Sequence, residues 1–228
     1  MLFSPQILVR TRPQPVVAAG GGPFTFIASV SAQPFTSGGG STTGIDTTGA
    51  GLLICVTSYF SGATGVTVAD SKSNTWTPLT AATSANTKCN VYYSVPTSVG
   101  ASHTASFTGS SLFPTFYFAA FAFGAASPAD QQSTNNGTGT SATSTSITPS
   151  VDNELVIAGI GTNANGAAIT APGGSFTTLN STLPASSGNA IGGGAAYWIQ
   201  TTASAASPTW TVASSSDWTT KMASFKVV

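Results

Sequence analysis

The chain has 228 residues, of which only 5% are charged, six Lys plus Arg against six Asp plus Glu, so its formal net charge at pH 7 is zero. An average soluble domain carries about 25% charged residues; this surface must therefore be hydroxyl, amide and glycine, with little repulsion to keep molecules apart. Nucleic-acid binding is excluded, because a phosphate backbone needs a basic stripe and only Lys72, Lys88, Lys221 and Lys226 are basic outside the N-terminal segment; no run approaches the about 18 apolar residues of a membrane helix.

Residues 1–23 contain Pro5, Pro13, Pro15 and Pro23 and a Gly20-Gly21-Gly22 hinge, which rules out a helix and favours an extended arm. Phe3, Ile7 and Val9 are its expected apolar anchors, with Arg10 and Arg12 pairing with acidic groups on an underlying surface. Such an arm docks on a neighbouring subunit or lies along its own sandwich edge. The first ten residues lack the basic start and long apolar stretch of a secretory signal, which points to assembly in a cytoplasm rather than export by the general secretory route.

After the arm, Phe24–Val30 reads as a strand and Ser37-Gly38-Gly39-Gly40-Ser41 as a loop. Then two copies of one pattern follow, about 45–124 and about 147–228, joined by a polar linker at about 127–146. Gly51–Val56 matches Asn153–Ala158, Asn74–Leu79 matches Gly174–Leu179, and Val91–Val95 matches Ala196–Gln200. His103–Phe107 likewise matches Pro208–Val212, and Phe118–Phe121 matches Met222–Phe225. Val91, Tyr93 and Val95 alternate with Tyr92 and Ser94, the period-two mark of a half-buried strand. Turn clusters such as Asp70–Asn74 and Ala171–Gly174 separate the runs. Short strands at this spacing predict an all-β, jelly-roll-like β-sandwich of two homologous halves, forming one domain over 24–228.

The last strand differs between copies. Ala223, Phe225 and Val227 alternate with Met222, Ser224 and Lys226, whereas 116–123 is apolar on both faces. A strand of that kind is buried on both sides or awaits a partner, so Phe116 and Phe118 are a candidate interface, covered by the arm or by another subunit. Cys55 and Cys89 read as buried free thiols, or as a bridge if both face one core.

Residues suited to catalysis are sparse. His103 is the only histidine and reads as a strand-end residue satisfied by a backbone carbonyl. No serine sits in a Gly-x-Ser-x-Gly elbow, and the six carboxylates, Asp46, Asp70, Asp130, Asp152, Glu154 and Asp217, fall in turns or loops. Asp152 with Glu154, and Asp70 with Asn74, are oxygen pairs of the kind calcium takes, but turn chemistry explains them equally. The reading is of no catalytic, metal or cofactor site, and no enzyme. Tyr92 and Tyr197, matched across the copies on the face opposite the apolar one, form a candidate glycan platform.

Val66-Thr67-Val68-Ala69-Asp70-Ser71-Lys72-Ser73-Asn74-Thr75-Trp76-Thr77, followed by Tyr92-Tyr93 and a Thr-containing strand, resembles a β-sandwich repeat of tailed-bacteriophage virion proteins and bacterial surface proteins. Ser73 stands where that repeat has glycine, and the second copy replaces the turn with Pro172-Gly173-Gly174. The resemblance implies a virion structural protein, a capsid decoration or head-surface protein that forms homo-oligomers and binds a capsid protein. A carbohydrate- or receptor-binding module of a tail appendage or surface protein is the alternative.

Overall fold

The computed structural model describes residues 22–34, 36–185 and 191–227. Among them there is no helix, and fifteen strands form three antiparallel sheets, so the all-β sandwich read from the sequence is the fold. The first large sheet runs β1 (Thr25–Ala32), β9 (Thr115–Ala122), β3 (Ala50–Phe60), β7 (Thr87–Ser94), β5 (Thr77–Pro78), with β6 (Ala82–Thr83) also on β7. The second runs β10 (Ala129–Thr143), β15 (Thr209–Phe225), β11 (Leu155–Thr162), β14 (Gly192–Ile199), β13 (Thr177–Thr178), with β12 (Ile169–Thr170) on β15. A small sheet, β2 (Gly39–Ser41), β8 (Ala105–Ser110), β4 (Thr64–Asp70), completes the set.

The two large sheets pack face to face. Leu52, Ile54, Val56, Tyr117, Ala119 and Phe121 from one meet Leu155, Ile157, Ala195, Ala223 and Phe225 from the other in one core. Each such buried aliphatic or aromatic side chain contributes about 1.5–3 kcal/mol. The outer faces are covered too. On the first sheet Cys55, Phe116 and Tyr92 pack under Phe107 of β8, and Phe118 lies against Trp76 and Ala105. On the second sheet Val156, Ala158, Ile160 and Met222 pack under Trp210, Val212 and Ile169. β15 reaches both layers because it bends. Between its paired stretches four of its residues stand against one of β10, since Gly139 pairs with Ser216 and Ser141 already with Thr211.

Burial on both faces explains why β3, β9 and β11 read as continuous apolar runs although their sheets are antiparallel. It also accounts for Phe116 and Phe118. Both are fully buried, but the chain's own small sheet and Trp76 cover them, leaving no surface there for an arm or a second subunit. Gly159 sits where the layers meet most closely, since a Cβ there would lie 2.7 Å from Val56 and 3.0 Å from the Cys89 sulfur.

The structure differs from the sequence reading in two segments and in the register of the match. Residues 127–146 are largely strand β10 rather than a linker, held by pairing with β15 along most of its length. Part of the 37–41 loop is strand β2. β10 lies beside β15 as β1 lies beside β9. Finally, the match slips by one residue in two strands. Tyr93 stands opposite Ile54, and Tyr197 opposite Ile157, so Tyr197 corresponds to Tyr93 and not to Tyr92. In a strand a shift of one residue moves a side chain to the other face.

With that register the interlayer contacts are reciprocal. Tyr93 meets Phe225 edge-on at 5.5 Å, and Tyr197 meets Phe121 edge-on at 5.4 Å. Phe121 pairs with Leu52 as Phe225 pairs with Leu155, so one surface meets its near equivalent, as across a two-fold axis. Phe121→Ala is expected to lower stability by about 3–5 kcal/mol. Because the interface is the core of both large sheets, denaturant unfolding followed by tryptophan fluorescence should remain one transition, shifted to lower midpoint.

Candidate functional site

Three buried polar clusters hold most of the unusual chemistry. The first is built on Asp70, the last residue of β4. Its Oδ1 accepts the backbone N–H groups of Lys72 (2.8 Å) and Asn74 (3.2 Å), and its Oδ2 accepts Asn74 Nδ2 (3.1 Å) and Trp76 Nε1 (2.9 Å). Asn74 extends the cluster, with Oδ1 accepting the N–H groups of Thr97 and Ser98 and Nδ2 donating to the Ser98 carbonyl. The Asp-Ser-Lys-Ser-Asn-Thr-Trp motif is thus a latch. It closes its own turn, fixes the 97–98 loop and holds the Trp76 ring over Phe118 (6.2 Å). Ser73, with φ of 60°, takes the left-handed conformation in which glycine is unstrained. Asp70 and Asn74 are calcium-type ligands by residue type, but here the Asp70 oxygens already face N–H donors.

His103 closes the same cluster. Its Nδ1 lies 2.8 Å from Thr47 Oγ1, and its Nε2 lies 3.4 Å from Asp70 Oδ1. Nδ1 is therefore paired with a threonine hydroxyl, while Nε2 approaches the carboxylate without a hydrogen-bond partner, and neither meets a backbone carbonyl. Hydroxyl, imidazole and carboxylate in this order have the sequence of a nucleophile, its base and the base's orienting group. Thr47 and His103 are both fully buried, however, and Thr47 Oγ1 also accepts the Gly100 N–H. The arrangement ties three loops together inside the fold. Burial lowers the His103 pKa, against the opposing pull of Asp70. Burial also raises the Asp70 pKa, but its hydrogen bonds outweigh that and hold the carboxylate below its ordinary value.

The second cluster pairs Glu154 with Asp130. Ser150 N–H lies 2.8 Å from Asp130 Oδ2 and 3.0 Å from Glu154 Oε1, Val151 N–H donates to the same Oε1, and Lys226 Nζ lies 2.9 Å from Asp130 Oδ1. Glu154 is fully buried, and its Oε2 has no hydrogen-bond partner. Burial raises its pKa, and neighbouring Asp130 adds to the rise. Asp152, which alternation places with Glu154, instead accepts the Ala203 N–H.

The third lies at the interlayer face. Lys221 is fully buried, with Nζ donating to Gln132 Oε1 at 2.6 Å; burial brings its pKa down to about 8. Nearby Cys89 is raised to about 12 by burial. Cys55 and Cys89 are free and belong to the outer and inner cores respectively, so a bridge between them is excluded.

Neither ring of the expected glycan platform is available as drawn. Tyr92 is 6% exposed beneath β8, with Phe107 at 6.3 Å. Tyr197 is partly buried on the opposite type of face, stacked on Phe26 at 5.2 Å. The register slip removes their shared side, and core packing uses both. Phe3, Ile7, Val9, Arg10 and Arg12 lie outside the described residues. Lys221, Glu154 and Asp130 were missed as cluster members. Lys221 follows Thr219 and Thr220 in a strand whose partner copy holds Tyr117, and that mismatch was the only signal available. No protein-family model, curated protein or solved structure matches the chain.

The latch makes stability acid-sensitive in two stages. A lowered histidine pKa contributes stability that is present above the unfolded value of 6.5 and lost as pH falls through the folded value; Asp70 adds a second loss below 3.8. His103→Leu should remove the first decline and keep the second, read from urea unfolding between pH 7 and pH 3. Lys221→Met is expected to raise the melting temperature at pH 7, because a buried ammonium paired only with an amide is unfavourable. That gain should shrink between about pH 8 and pH 10.5, where the unfolded wild-type chain still binds the proton that the folded one has released.

Proposed function

We propose that this chain is a non-enzymatic virion structural protein, a capsid decoration or head-surface protein of a tailed phage, made in the host cytoplasm and assembled as a homo-oligomer on a capsid protein. The observation that carries the reading is the division of polar groups. Asp70, His103, Glu154 and Lys221 are all engaged inside the fold, while the outside is almost uncharged and dominated by threonine, serine, asparagine and glycine. A particle surface needs a rigid tile that tolerates close neighbours, and low charge removes repulsion between copies. The two matching sheet orders support a duplicated origin for the tile. The alternative, a carbohydrate- or receptor-binding module of a tail appendage or surface protein, loses the ring pair offered as its platform, since Tyr92 is buried and Tyr197 stacks on Phe26.

In this reading residues 1–23 are the assembly arm. Light scattering of the full chain beside a version starting at Pro23 tests it. A defined oligomer that dissociates when the arm is removed is the expected result, and single copies in both cases would overturn it.

A further inference from the structure

We propose that two copies of this chain exchange halves, the first large sheet of one copy packing on the second large sheet of the other, with Phe123 and Gly124 as the hinge. This inference rests on the homo-oligomer reading above and names its pairing unit. Among the described strands, every member of the first large sheet and of the small sheet ends by Ala122, and every member of the second large sheet begins at Ala129 or later. No strand pairing crosses that boundary. Between the halves lie the interlayer core and one short connection. The core is a surface set against its near equivalent, with Tyr93 on Phe225 and Tyr197 on Phe121, and a second copy offers the same two surfaces. Each contact made within one chain can therefore be made unchanged between two, which is what makes exchange a low-cost route to a dimer.

The connection supplies the reason to exchange. The Ala125 N–H donates to the Lys226 carbonyl and the Lys226 N–H to the Pro128 carbonyl, so the chain has already joined the second half at Ala125. Its reversal falls on Phe123 and Gly124, with φ of 68° and 149°. That left-handed region suits glycine, whereas a bulky side chain held there is strained. Phe123 is also 42% exposed, so burial of its ring offsets little of the strain. In an exchanged pair Phe123 continues β9 in ordinary extended conformation and the chain crosses to the other copy. Both copies lose the strain and the core contacts are the same. The arm then joins pairs to one another, so removing it leaves pairs and not single copies.

The test uses the full chain carrying Val56→Ala with Gly159→Cys. A Cβ at position 159 would lie 3.0 Å from the Cys89 sulfur, within reach of a disulfide, and the Val56 truncation clears its other close contact. Cys89 is in the first half and position 159 in the second, so after treatment with oxidised glutathione the bridge reports which halves are packed together. Non-reducing electrophoresis should show two linked chains. A second variant, Phe123→Gly, leaves the core intact and removes the strain; light scattering of the arm-less chain should show the dissociation constant of the pair rising about tenfold or more. An oligomer whose bridge stays within one chain overturns the exchange and leaves the homo-oligomer reading standing, as does an unchanged dissociation constant for Phe123→Gly. A wild-type chain that is a single copy overturns both.

Discussion

The contact between the two large sheets is the constraint from which the other layers follow. Strands β3, β9, β11 and the C-terminal part of β15 sit in the middle of their sheets, and their inward rows from Leu52 to Val56 and from Leu155 to Ile157 fill one core. Once these rows are buried, the alternate rows, including Phe116, Phe118, Val156 and Met222, are left on the outside of the pair. A chain with so little charge cannot leave that much apolar surface in water and remain soluble. The small β2-β8-β4 sheet on one side and the bent ends of β10 and β15 with β12 on the other cover it. Three layers of side-chain contact thus arise from one pairing and its consequence.

How much of this the sequence discloses depends on what each residue reports. Apolar strands such as Leu52–Val56 and Phe116–Phe121 were legible, because continuous runs of this length and composition have few alternatives in an all-β chain. β10 was not. Its Gln, Ser, Thr, Asn and Gly residues have the composition of a loop, and it is a strand because β15 supplies a complete ladder of partners, a long-range fact that local propensity does not carry. The faces of Tyr92 and Tyr197 failed for a different reason. Aligning two short apolar runs by similarity leaves a one-residue ambiguity, and in a strand that ambiguity is the difference between inside and outside. The Asp70 turn was visible as a motif, but its contacts to Trp76 and the 97–98 loop were not, since they join residues far apart in the chain.

Corresponding positions in the two large sheets carry different chemistry with the same geometric task. Tyr117 reaches across the interface and donates its hydroxyl to the Gly193 carbonyl at 2.7 Å. Lys221 corresponds to it, since Phe118 pairs with Cys55 and Met222 with Ala158 one residue further along, and it reaches Gln132 instead. Both are long side chains with a polar tip, and both extend an apolar stem through the core to a single acceptor near its rim. The phenol does this without charge, and burial raises its pKa further from neutrality, whereas the ammonium has to be desolvated, which brings the Lys221 pKa down to about 8.

The same logic explains why one turn keeps its aspartate and the other lacks it. Trp76 and Phe176 occupy matching places just before β5 and β13, each laid on the outside of its sheet against Phe118 or Trp198. An indole placed there brings an N–H that needs an acceptor when it is covered, and Asp70 Oδ2 provides it. Once a carboxylate is drawn into that partly buried place it needs further donors of its own, and the N–H groups of Lys72 and Asn74, the Asn74 amide and the approach of His103 meet that need. Phe176 has no polar atom, so the second turn needs no acceptor and can be made by Pro172, Gly173 and Gly174. Ala206 then stands where His103 stands, bridged to Ile147 as His103 is to Ile45. The Trp76 indole nitrogen thereby joins the first turn to Asp70, a link that the second turn, with Phe176 in that place, does not have.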